Sequence, residues 1–167
     1  MSELQSLLTE FAEGRVALVE RHEASARAVS HYDFNNTYQY VISREETHLS
    51  WLQNALAEYK AVLPAAGSSA LPAPEAPKTG RKVEASAFRS ILEDDAGSLG
   101  AFVEKWRPRV GHMTHARHRN MLNVILGESM EHRRFFEQAA AGFEDLLGRR
   151  TPDAERVGGV LPTRWLE

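Results

Sequence analysis

Among 167 residues there is no cysteine. Disulfides, thiolate metal sites and a cysteine nucleophile are thereby excluded, and histidine and carboxylates remain as the metal-ligating side chains. Long apolar runs are also missing, since no stretch approaches the 18 residues that would predict a membrane span. The start, Met1-Ser2-Glu3-Leu4-Gln5, has neither a basic segment nor a hydrophobic signal core, so a soluble cytoplasmic protein is expected. A strong charge of one sign is absent as well: the formal net charge is −3 and the pI about 6.2, which removes the usual electrostatic ground for nucleic acid or an anionic membrane as partner. The Arg/His-rich stretch from Arg107 to Arg119 is broken by Pro108 and Gly111 and lacks interleaved aromatics, so it reads as a solvated turn and helix start. Neither a glycine-rich phosphate loop, a Gly-x-Ser-x-Gly elbow nor a dinucleotide fingerprint occurs.

What the chain does have is helical periodicity. With 43% hydrophobic residues it is long enough for one filled core and short for two. Apolar residues recur at three- and four-residue spacing in four segments, at about 3–31 (Leu4, Leu8, Phe11, Leu18, Ala26, Val29), 36–63, 83–107 and 114–147 (Met121, Val124, Ile125, Phe135, Ala139, Phe143, Leu146). Asp33, Asn35 and Asn36 read as a turn between the first two. Residues 64–82 hold four of the seven prolines and no helical period, so they read as a linker, and 149–167 read as a C-terminal tail. The pattern predicts an all-α four-helix bundle over residues 1–148. Extended, the linker would reach about 60 Å, which makes a long crossover between helices two and three feasible.

Several polar residues fall inside the apolar stripes at 100° per residue. Glu45 faces the core of helix two with His48 one turn on, in Glu45-Glu46-Thr47-His48. Glu128 and His132 straddle the stripe of helix four, with Glu131 at its border. Helix three offers Asp95 and helix one His22, with Glu23 turned to one side. Unpaired buried carboxylates are costly enough to be protonated, paired or metal-bound, so either a salt-bridged network or a metal site is expected. By their distances along the helices, all of these inward side chains are expected to converge on one layer. His112, His115 and His118 lie outside the stripe and read as surface residues at a helix start.

Glu45-x-x-His48 and Glu128 resemble the ligand motifs of the ferritin-like superfamily, in particular its rubrerythrin-like members. That resemblance implies two iron or manganese ions, bridging carboxylates from Glu45 and Glu128, further ligands among Glu23, His22, His48, Asp95, Glu131 and His132, and chemistry with oxygen or peroxide. The chain departs from the pattern in helix four, where Glu131 stands three residues after Glu128 and His132 four after. Glu128-x-x-x-His132 with His48 is instead similar to the DinB-like bundles, which would imply one zinc or nickel ion. A third expectation is a non-catalytic bundle with a buried polar network and an exterior that mediates homodimerisation.

Overall fold

The computed structural model describes residues 2–67, 71–77 and 83–148, and all regular structure among them is helical. The four helices are α1 (Glu3–Ala28), α2 (Tyr32–Ala57), α3 (Arg89–Gly111, entered through a 3-10 turn at Ala85–Phe88) and α4 (Ala116–Ala140). The region read as a C-terminal tail, 149–167, lies outside the described residues.

Local chemistry sets the helix ends. Ser2 accepts a hydrogen bond from the Gln5 amide at 3.1 Å and caps α1. The expected turn at Asp33, Asn35 and Asn36 is instead the first turn of α2, because His31 supplies the cap, its Nδ1 accepting from the Phe34 amide. Asn35 then reaches back and donates to the carbonyls of Ala26 and Val29 at 2.7 and 3.1 Å, which satisfies acceptors left over at the end of α1. α2 stops six residues short of the expected Leu63, where Lys60 takes a left-handed conformation (φ 56°) and the Ala61 amide bonds the Leu56 carbonyl. α3 passes Pro108, expected to end it, and continues to Gly111, held by the buried Val110. α4 ends at Ala140, so Phe143 lies beyond it and is exposed, as is Val124 on its outer face.

α1 packs beside α2 and α3, and α4 beside α3 and α2. Phe11 meets Phe102 and Trp106 edge-on at 5.0 and 4.9 Å, Arg109 bonds Glu10, and Arg21 bonds Asp95. Rising numbers on α1 thus meet falling numbers on α3. α2 and α4 are antiparallel by the same test, since Tyr40 lies against Phe135 and Glu58 against Arg117. α1 and α2, joined by a three-residue turn, are antiparallel too, so α2 and α3 run in the same direction. The connection itself passes partly through residues 68–70 and 78–82, outside those described. Its Pro72 carbonyl accepts from Arg21 of α1.

Candidate functional site

One cation organises the centre of the bundle. Arg15 of α1 is fully buried, and its guanidinium donates to Ser129 Oγ of α4 at 2.8 Å, to Glu45 Oε2 of α2 at 3.1 Å and to His48 Nδ1 at 3.2 Å. The bonds assign the roles. His48 Nδ1 faces the cation with its lone pair, so Nε2 carries the proton and donates to Glu128 Oε2. Ser129 donates to the Ile125 carbonyl at 2.7 Å, leaving an oxygen lone pair for Arg15. The second oxygen of Glu45 pairs with His22 Nδ1 at 2.6 Å. Glu128, partly exposed, is held from outside by Arg44, whose guanidinium donates to both of its oxygens at 2.8 to 3.1 Å.

The electrostatics follow from burial and charge. Burial alone would raise the Glu45 carboxyl, but His22 and Arg15 beside it hold it below the ordinary carboxylate range. Glu128 is likewise lowered, its desolvation outweighed by His48 and Arg44. His48 is lowered by burial and by the adjacent Arg15, and His132 falls to about 4, chiefly through burial. The guanidiniums of Arg15 and Arg44 face the carboxylates of Glu45 and Glu128, and His22 is a further partner of Glu45.

A second network lies beside the first. Asp95 of α3 accepts from Arg21 at 3.0 Å and from the Tyr38 hydroxyl of α2. Asp95, expected in the same layer as Glu45, is engaged by Arg21 and Tyr38. His22, Glu45, His48, Glu128 and His132 do gather. Glu131 is exposed, and Glu23 lines a surface groove between α1 and α2 with Arg27, Gln39 and Glu46.

Sequence reasoning missed Arg15, Arg21, Arg44, Tyr38 and Ser129. A signal existed for Arg15, which continues the series Leu8, Phe11, Arg15, Leu18, His22 at alternating three- and four-residue steps. The basic stretch on α3 and α4 resolves into pairs, Arg109 with Glu10, Arg117 with Glu58, and Arg119 with the Met113 carbonyl. His115 caps α4, while His118, expected at the surface, is buried.

As arranged, these donors do not fit a two-ion centre. Both oxygens of Glu45 and both nitrogens of His48 are engaged, Asp95 belongs to the other network, and a guanidinium stands where the donors converge. Among the described residues no group of three or more His, Asp or Glu side chains is placed to hold a metal ion. Within this cluster two buried imidazole nitrogens, His22 Nε2 and His132 Nδ1, have no hydrogen-bond partner.

Fold and site together define an all-α four-helix bundle with an ionic core. No family model matches the chain, nor does any curated protein or solved structure. Among the described residues, no helix is long and apolar enough to cross a membrane.

Proposed function

We propose that this chain is a non-catalytic helical bundle in which an internal cation, Arg15, does the charge-neutralising work that a metal ion would otherwise do. The observation that carries this reading is the position of the Arg15 guanidinium, fully buried between Glu45, His48 and Ser129. Burial supports it further. Arg15, His22, Glu45 and His48 have no accessible surface, so a substrate would reach them only if helices parted. On this reading the protein is soluble and cytoplasmic and acts through its exterior, with a second copy of itself as first partner.

A second reading has a specific observation in its favour. The unpartnered His132 Nδ1, beside His48 and Glu128, is a free donor that a single zinc or nickel ion could use after rearrangement. The two-ion iron or manganese reading, with oxygen or peroxide as co-substrate, draws less support because Asp95 is bonded to Arg21 and Tyr38, Glu23 lines a surface groove and Glu131 is exposed.

Metal analysis of protein purified without chelator, paired with thermal melts before and after metal addition, separates the three. No stoichiometric metal and an unchanged melt are expected. One zinc or nickel per chain with a raised melt would favour the mononuclear site, and two iron or manganese ions would overturn the proposal. Sedimentation at graded concentration reads the homodimer.

A further inference from the structure

We propose that the Arg15 side chain fills a latent divalent-metal site, so that removing the guanidinium uncovers a pocket that takes up one metal ion. The inference rests on the reading of Arg15 as the internal cation and extends it to the ligands.

The bonding of His48 is that of a metal-ligating histidine. Such residues turn one nitrogen's lone pair to a cation and donate the other N–H to a carboxylate, which fixes the ring and raises its basicity. His48 does both: Nδ1 faces Arg15, and Nε2 donates to Glu128, itself fixed by Arg44. Glu45 is built in the same way, one oxygen on the cation and the other on His22. A carboxylate oxygen and an imidazole lone pair thus meet at a single atom, Arg15 Nη2, 3.1 and 3.2 Å away. Ser129 Oγ turns its lone pair to the neighbouring nitrogen at 2.8 Å. His132, 1% exposed, adds an Nδ1 with no partner, its ring roughly parallel to that of His48 at 6.4 Å between centroids. Imidazole, carboxylate and hydroxyl are the donor types that zinc and manganese accept.

Charge explains why the native chain would keep metal out and a variant would admit it. Arg15 and Arg44 already pair with Glu45 and Glu128, so a divalent ion added to the native cluster would bring further positive charge into the core without a new carboxylate to meet it. Without Arg15 the carboxylates of Glu45 and Glu128 lose one of their two guanidinium partners, and a divalent ion supplies positive charge again at the point where the lone pairs already converge.

The test compares the wild-type chain with Arg15→Ala, which vacates the place of the guanidinium, and Arg15→His, which adds a donor. Calorimetric titration with zinc and with manganese, alongside circular dichroism, reads both binding and folding. At least one variant is expected to bind one ion per chain more than about tenfold tighter than wild type, equivalent to about 1.4 kcal/mol. If the variants are unfolded without metal, helicity is expected to return on titration. Adding Glu45→Gln or His132→Ala to the binding variant is expected to abolish the gain. Failure of both variants to gain affinity or helicity would overturn the inference, as would a gain that survives Glu45→Gln, which would show that the ion does not use the Glu45 carboxylate. Metal uptake by the wild-type chain counts instead against the proposed function.

Discussion

Asp95 and Tyr38 differ in what their loss would leave behind. Asp95→Ala deprives the buried Arg21 of its buried carboxylate, with only the Pro72 carbonyl and the exposed Asp94, 4.0 Å away, remaining. We expect a loss of about 3 kcal/mol in urea unfolding. Tyr38→Phe removes one neutral donor while Asp95 keeps Arg21, so the expected loss is about 1 kcal/mol. Equal effects of the two substitutions would contradict the assignment of Arg21 and Asp95 as the pair that matters. At this scale the sequence was legible in part. Inward carboxylates and imidazoles stood out because they are rare inside apolar stripes. The arginines did not, because a long side chain from almost any position on a helix can snorkel outward, and only packing reveals which ones turn in.

At the scale of helices, two glycines test how α3 meets its neighbours. A Cβ on Gly14 of α1 would lie 2.8 Å from Phe102 Cε2, a ring wedged against Phe11 and Trp106. A Cβ on Gly100 of α3 would lie 2.7 Å from Arg133 Nη1, the far end of a flexible side chain. Gly14→Ala is therefore expected to lower stability by about 1–2 kcal/mol net, the overpacking exceeding the gain in helix propensity. Gly100→Ala is expected to be neutral or stabilising by up to about 1 kcal/mol, as Arg133 swings aside. The thermal melt should fall for Gly14→Ala and hold or rise for Gly100→Ala. Periodicity made the existence of all four helices legible, yet their ends shifted because capping decided them. His31 and His115 cap α2 and α4, a role for which histidine gives little warning, and Pro108 is tolerated within the last turn of α3.

For the molecule as a whole, the buried ionic core predicts acid sensitivity. His132 protonates at 6.5 when unfolded and at about 4 when folded, so the unfolded chain binds the proton first as pH falls through that interval. Stability present above pH about 6.5 is therefore lost toward pH about 4, by about 3 kcal/mol from this residue. His48, lowered as well, acts in the same direction, and below about pH 4.5 protonation of Glu45 and Glu128 adds to it. Urea midpoints measured at pH about 7.5 and about 5 should fall with pH, and His132→Phe should flatten the slope. A midpoint indifferent to pH would show that these imidazoles are solvated.

Arg15 and Glu45 are bonded as one pair across α1 and α2, and a double-mutant cycle measures that coupling directly. Arg15→Met and Glu45→Gln each leave a buried partner uncompensated and are expected to cost about 3–5 kcal/mol. Made together they leave no charge stranded between them, so the double variant is expected to be about 2–3 kcal/mol more stable than the sum of the single losses. Additive losses would mean that the two side chains do not neutralise one another, and would contradict the internal-cation account.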